Sequence, residues 1–421
     1  MEDFITMDIK VSLDDQGKFQ LPEEILSKLG ITSATELSLH LSPTGIHLKK
    51  TLPSLTKVYI EPTTACNLNC STCVRHSWNE PSGFLDMKIY KKMIDDLTGC
   101  NTLQQISFWG FGEPLLHPGI AEMVSLAKEL GVRTQIITNA LLLTREMAEA
   151  LVSAGLDSIV ISVDGASTES NDKIRSGASL NIIKEHIKQL RNVRRRAPFH
   201  NPEIGIEFVL MRRNMEELQG LRRLAFTLGA SFIILTNLLP YTEELKDDIL
   251  YKNSIHDAYS TGRSKWFPEI KLPSSFDLGQ NLVPHMAKFL NLSGPSTIPV
   301  LKPVTGDDCC RFIAEGTAVV GWDGAVSPCP PLTHSYTCYV MGREKHIKRY
   351  TIGNISSDNI RDIMQDTDFT DFRGRILHSE FSPCLQCGGC ELSESNEEDC
   401  YGNTFPVCGD CLWGKGVIQC P

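Results

Sequence analysis

Residues 57–73 read Lys57-Val-Tyr-Ile-Glu-Pro-Thr-Thr-Ala-Cys66-Asn-Leu-Asn-Cys70-Ser-Thr-Cys73. The first part, KVYIEP, is a short, apolar, β-rich run. Three cysteines spaced C-x3-C-x2-C follow it at once. Five further runs repeat the same character downstream: QQISFWG, RTQIITN, DSIVISVDG, EIGIEFVL and SFIILTN, the last ending at Asn237. Amphipathic segments separate them. In one, Leu180, Ile183, Ile187 and Leu190 recur at helical spacing. Apolar strands alternating with helices predict an α/β fold with a parallel sheet covered on both faces. Six such units predict a partial (β/α)6 barrel of the TIM type, whose chemistry sits at the C-terminal ends of the strands. The cysteine triplet falls at that end of the first strand. Arg194, Arg195 and Arg196 close the fourth helix, where solvated positive charge is favourable.

Working outward, the chain has 421 residues, 41 Lys+Arg against 51 Asp+Glu, and a net charge of −10. Its 41% hydrophobic and 22% charged content fits a globular chain of two or three domains and argues against disorder. No apolar run reaches ~18 residues, so no membrane span is expected. The start, MEDFITMDIK, lacks the basic and apolar stretches of an export signal, which predicts a cytoplasmic protein. Net negative charge argues against a nucleic-acid partner. Cysteine is in excess: 15 residues, three near position 70 and eleven beyond 308. A secreted disulfide framework is one reading. The odd count, the long chain and the missing signal favour metal or iron–sulfur ligation in a reducing compartment. Cys100 stands alone and reads as a small buried hydrophobe.

Four regions are expected. Residues 1–50 hold a strand over ITMDIKVSL, a short strand KFQLP, a brief helix PEEILSKLG and a hairpin in ELSLHLSPTGIHLKK. This unit resembles the swapped hairpin of AbrB-type transition regulators. That resemblance implies pairing with a second copy and, in the regulators, DNA binding. Five Lys against eight Asp/Glu in this unit favour dimerisation or docking instead. Residues 51–240 form the barrel. Residues 241–308 form a bridge with one strand, EIKLP, and one helix, NLVPHMAKFLN. Residues 309–421 are rich in Cys, Gly and Pro with little periodicity, so metal clusters are expected to serve as their core.

Three thiolates on one loop suit a [4Fe–4S] cluster with one iron left open, whereas a structural zinc wants four donors. The arrangement resembles the radical S-adenosylmethionine (SAM) superfamily. The resemblance implies that Cys66, Cys70 and Cys73 hold the cluster and that SAM chelates the open iron. Reductive cleavage then gives a 5′-deoxyadenosyl radical. A low-potential donor, ferredoxin or flavodoxin, would supply the electron. Gly110-Phe-Gly112-Glu113-Pro114 is similar to the superfamily's GGEP motif, implied to receive the methionine amine. Thr138 and Asn139, then Ser162 and Asp164, end the third and fourth strands, where relatives touch the cofactor. Arg175 matches an arginine that pairs with the methionine carboxylate. Taken singly, Asn139, Ser162 and Asp164 also suit turns and caps. Where relatives carry an aromatic before the last cysteine of the triplet, this chain has Thr72. Nearby Trp78 is the candidate substitute.

The tail adds a second constellation. Cys310, thirteen residues, Gly324, four residues and Cys329 resemble the opening of a SPASM domain, which implies one or two auxiliary [4Fe–4S] clusters. Cys384, Cys387 and Cys390, then Cys400, then Cys408, Cys411 and Cys420, are the remaining candidate ligands. They depart from the usual C-x2-C-x5-C-x3-C run. Cys310 is favoured over its neighbour Cys309, and Cys338 is not expected to ligate. A zinc ribbon remains open on CxxC spacing. The cluster loop and the ending CYGNTFPVCGDCLWGKGVIQCP are also similar to tungsten-containing aldehyde ferredoxin oxidoreductase cofactor-modifying proteins. That implies maturation of a tungsten-pterin cofactor or of its host oxidoreductase. Peptide or protein modification (crosslinking, thioether formation, residue oxidation) is the second reading. A zinc-bearing DNA-binding regulator is the third. Glu61, Glu113, Asp164, Glu207 and Tyr241 are candidate acids or bases near strand ends, with buried structural roles equally open.

Overall fold

In the computed structural model, the six apolar runs form six strands whose order in the sheet is their order in the chain. The structure describes residues 22, 23, 26, 37–42, 45–50, 52–198, 200–251, 259–261, 269–272, 282–290, 301–303, 310–378, 380–387 and 390–420. The first described strands form an antiparallel hairpin, β1 (Leu37–Ser42) and β2 (Gly45–Lys50), in which Leu37 faces Lys50. The expected strand over ITMDIKVSL lies outside the described residues, as does nearly all of KFQLP and PEEILSKLG.

The barrel strands are β3 (Lys57–Ile60), β4 (Gln105–Phe108), β5 (Arg133–Thr138), β6 (Ser158–Ser162), β7 (Glu203–Leu210) and β8 (Phe232–Asn237). Each is parallel to the next. Helices α1 (Met87–Leu97), α2 (Ile120–Glu129), α3 (Arg145–Ser153), α4 (Thr168–Ile174), α5 (Leu180–Arg194) and α6 (Leu218–Leu228) make the crossovers. Local chemistry sets their ends. Asp86 caps α1 by accepting from the Lys88 N–H at 2.7 Å. Gly229, at φ 71°, takes the left-handed turn that ends α6.

Alternation along the strands sorts their faces. Val58, Ile60, Ile106, Phe108, Ile159, Ile161, Ile204 and Ile206 are fully buried in one core with Met93, Met123, Val124, Leu151, Ile183 and Ile187 of the helices. Each such side chain stabilises the fold by about 1.5–3 kcal/mol. The register puts the other face in line: Tyr59 beside Ser107, Ser107 beside Gln135, and Ser162 beside Glu207. The barrel lumen is therefore polar, and Ser107 donates to Gln135 Oε1 within it.

The sheet does not stop at six strands. Beyond β8 lie β9 (Tyr259–Thr261), β10 (Glu269–Leu272) and β11 (Leu301–Pro303), with β10 parallel to β8. The bridge helix expected at NLVPHMAKFLN is α7 (Val283–Leu290). At the opposite edge, β12 (Thr317–Val320) runs parallel to β3, with Thr317 beside Lys57. Gly316 makes this approach possible: its φ is 65°, and a Cβ there would run into the Ser54 carbonyl. Strands β13 (Ala325–Ser327), β14 (Tyr336–Val340), β15 (Arg343–Ile347) and β16 (Gly353–Asn354) follow, then helices α8 (Ile360–Ile363) and α9 (Thr367–Leu377).

The C-terminal region, expected to rely on metal clusters as its core, also contributes apolar side chains to a common core. Val319, Ile360, Phe369 and Phe372 are fully buried in the core shared with the barrel. Strands of two to five residues and a one-turn helix such as α8 are too short to display a period. Among the described residues no helix is long and apolar enough to cross a membrane.

Candidate functional site

The cluster loop is tied down on the barrel's C-terminal rim. The Asn69 N–H donates to the Ser176 carbonyl and the Ser71 N–H to the Ile174 carbonyl, each at 3.0 Å. The Asn139 amide donates to Asn67 Oδ1 at 2.8 Å. These bonds bring Cys66, Cys70 and Cys73 beside Asn139 and Arg175, which the sequence places 66 or more residues away. All three thiols are half-buried. Burial pushes the Cys70 thiol up to about 11, against the opposing pull of the Arg175 guanidinium. Such a thiol is neutral until a metal ionises it.

Arg175 donates to Asp164 Oδ2 at 2.9 Å, and its Nε is buried with no hydrogen-bond partner among the described residues. Asp164 is fully buried. Its other oxygen accepts from the Val209 N–H at 3.1 Å, so both carboxylate oxygens already serve the protein. Ser162 donates to Glu207 Oε2 at 3.5 Å. Burial lifts the Glu207 carboxyl to about 7, with Arg175 opposing the shift and Asp164 adding to it.

The Gly110–Pro114 loop lies against the cluster loop. A Cβ on Gly112 would run into the Thr63 and Ala65 carbonyls, and the Glu113 N–H donates to the Ala65 carbonyl at 2.8 Å. Glu113 is a strap across the rim. It accepts from Thr138 Oγ1 at 2.6 Å, the Asn139 N–H at 2.8 Å and the Leu115 N–H at 3.0 Å. Burial nevertheless raises its pKa. Pro114 starts a buried turn, Pro114–Leu116.

Sequence reasoning missed His334, which stands alone in PPLTHSY with no periodic or motif signal. Its ring is 0% exposed and is held at both ends. Nε2 lies 2.8 Å from Glu61 Oε2 and Nδ1 lies 2.5 Å from Glu80 Oε2. The candidate base Glu61 is thereby engaged. Burial alone would lower the imidazole pKa; its bonds to the two carboxylates outweigh that and hold it at about 9. A folded value above the ordinary 6.5 stabilises the fold fully below pH 6.5 and ceases to do so as pH rises through 9. The advantage in melting temperature of the native chain over His334→Gln should therefore shrink from pH 6.5 to 9.5. Equal slopes in thermal melts would contradict this.

Trp78 stands edge-on to His334 at 4.5 Å and to Phe111 at 5.5 Å, beside the glycine loop. Thr72 is half-buried. Tyr241 packs edge-on to Tyr336 at 5.6 Å, and burial pushes its hydroxyl pKa well up.

The C-terminal thiols separate. Burial raises the Cys329 pKa well above its ordinary value, and Cys411, Cys310 and Cys408 raise it further. Cys408 responds to Cys411 and Cys310 in the same way. Cys329, Cys408 and Cys411 share one cavity with Tyr336, Cys338 and Trp413. Cys384 lies instead within reach of Cys400. Between the groups, the buried Lys345 ammonium pairs with Asp410 at 2.9 Å. Cys420 faces elsewhere: burial raises its pKa to about 12, and its charged neighbours are Glu207, Lys57 and Arg311. Cys390 is exposed. The Cys387 side chain and Cys309 lie outside the described residues.

The donor set suits iron–sulfur clusters: thiols grouped by three and four, next to cationic side chains. A tetrahedral zinc draws its donors onto one point. Among the described residues, no three His, Cys, Asp or Glu side chains converge in that way. The unpartnered Arg175 Nε leaves donor capacity for an anionic group.

Residues 60–225 match the radical SAM superfamily, and residues 309–391 match SPASM, an iron–sulfur cluster-binding domain. A tungsten-containing aldehyde ferredoxin oxidoreductase cofactor-modifying protein of Pyrococcus furiosus is 32% identical over 373 residues, 86% of this chain and 96% of that protein. Mycofactocin maturase MftC of Mycobacterium tuberculosis is 33% identical over 180 residues, 43% of this chain and 44% of that one. Among solved structures, Streptococcus suis SuiB bound to precursor peptide SuiA superposes with a TM-score of 0.55 at 16% identity, covering 86% of this chain and 76% of that chain. This last likeness concerns the fold alone.

Proposed function

The chain belongs to the radical SAM superfamily and is a radical SAM enzyme with a SPASM domain, and from that premise we propose that it matures a tungsten-pterin cofactor or the oxidoreductase that carries one. The reading of the substrate rests on 32% identity to a cofactor-modifying protein across 96% of that relative's length. The reading of the site rests on the half-buried thiol trio docked beside Arg175, whose Nε lacks a partner.

Cys66, Cys70 and Cys73 hold the catalytic cluster. When bound, a [4Fe–4S] centre with an open iron supplies the electron that splits SAM. The Gly110–Pro114 backbone receives the methionine amine, and Arg175 Nε receives the carboxylate. Thr138 and Asn139 are kept in place by Glu113. Asp164 orients Arg175 through one oxygen, accepts the Val209 N–H through the other, and is fully buried, which supports a positioning role over ribose binding. Ser162 and Glu207 have acceptor capacity left, and Glu207 can hold or release a proton near neutral pH. The low-potential donor, ferredoxin or flavodoxin, the cytoplasmic setting and a homodimer through the N-terminal hairpin complete this reading.

We assign two auxiliary clusters, one to Cys310, Cys329, Cys408 and Cys411, and the other, by nearness in sequence, to Cys384, Cys387, Cys390 and Cys400. Cys420 belongs to neither. Cys408→Ala/Cys411→Ala should bind about four fewer irons per chain by anaerobic iron assay. Cys420→Ala should bind the native amount, and a drop there would return Cys420 to the ligands.

The decisive experiment is anaerobic reconstitution with reductant, SAM and the immature tungsten oxidoreductase, following deuterium from substrate into 5′-deoxyadenosine. Stimulated 5′-deoxyadenosine release with gain of oxidoreductase activity is expected. Stimulation by a short peptide and not by the oxidoreductase would move the reading to peptide modification, which the likeness to mycofactocin maturase favours. Neither fold nor likeness favours a zinc-bearing regulator.

A further inference from the structure

We propose that His334, contributed by the C-terminal region, is a positioning residue for SAM, because it bridges Glu61 and Glu80 and so fixes the Gly110–Pro114 loop. This rests on the reading that the loop receives the methionine amine.

Three distant segments meet at this ring. Glu61 follows the first barrel strand, Glu80 follows the cluster loop, and His334 lies beyond Cys329. Glu61 is the link to the loop. One of its oxygens accepts from the Phe111 N–H at 3.1 Å, and the other is held by His334 at 2.8 Å. The Glu61 stem lies flat on the loop: a Cβ on Gly110 would meet its Cγ at 2.5 Å. The His334 ring also packs 5.6 Å from the Phe111 ring, centroid to centroid. The far side is anchored too, since Glu80 accepts from the Ser335 N–H at 2.9 Å.

Both Glu61 and His334 have side chains that are 0% exposed. A buried carboxylate that loses its partner is costly and finds no water to replace it. Without the imidazole, Glu61 must turn away or neutralise, and the Phe111 N–H loses its fixed acceptor. The loop then drifts, while the cluster loop keeps its own anchors to Ser176, Ile174 and Asn139. The effect should fall on SAM affinity rather than on metal content.

The test compares His334→Gln and Gly112→Ala with the native chain. Anaerobic equilibrium dialysis gives the SAM Kd, iron assay gives cluster content, and uncoupled 5′-deoxyadenosine formation gives kcat. For His334→Gln, Kd should rise roughly tenfold with native iron and kcat within about threefold, the size seen when a supporting contact behind a ligand is lost. Gly112→Ala moves the loop directly and should also raise Kd. If only Gly112→Ala raises Kd, the His334 proposal is wrong and the loop reading stands. If neither does, the loop reading fails and the proposal with it. Should His334→Gln not fold, Glu80→Gln carries the test: a rise of about threefold supports the proposal, and a native Kd overturns it.

Discussion

Cys70→Ala should reduce SAM cleavage to background, a fall of roughly 10³-fold or more, because a cluster and its ligands fail as a unit. Cys70 is the middle thiol of the trio and the one on which the Arg175 guanidinium acts most among its charged neighbours. Alanine leaves two donors where three irons need one each. The C-terminal thiols sit in separate groups with their own cavity, so their iron should remain. The variant should stay brown, absorbing broadly near ~400 nm, with iron lowered by about one cluster. 5′-Deoxyadenosine released at the native rate would remove the catalytic cluster from this loop.

The second large effect is expected at Arg175. Its partner Asp164 is buried to 1% side-chain exposure, and Arg175 itself to 15%. Arg175→Met strands a buried carboxylate, which costs about 3–5 kcal/mol. The melting temperature should drop by roughly 5–10 °C. Arg175→Met/Asp164→Asn removes the stranded charge and keeps an acceptor for the Val209 N–H. It should recover most of the lost stability. It should not recover SAM binding, because the guanidinium is still missing. If the double variant melts as low as the single one, the cost lies in packing rather than in charge.

The barrel was legible because six runs, the first five each followed by a helix, carry their burial pattern in full. Ile159 and Ile161 alternate with smaller side chains, and Leu180, Ile183, Ile187 and Leu190 mark one helix face. The rim residues were legible as a set, since all but Arg175 end or follow a strand. Their division of labour was not. That Glu113 straps Thr138 and Asn139, or that Asp164 spends both oxygens on Val209 and Arg175, depends on loops meeting across the barrel. His334 was invisible for the same reason: its partners are 273 and 254 residues away. The C-terminal strands hid because each is too short to set a period, and the thiol groups hid because sequence neighbours such as Cys411 and Cys420 face different surroundings.

The pairing of β12 with β3 bears on how the chain is made. Lys57 finds Thr317 only after about 260 further residues have left the ribosome. Until then the first strand keeps a bare edge, an open template for other chains. Contacts so distant in the chain form slowly. Newborn molecules must therefore wait, shielded, for their own last third before the rim that holds the radical chemistry can set.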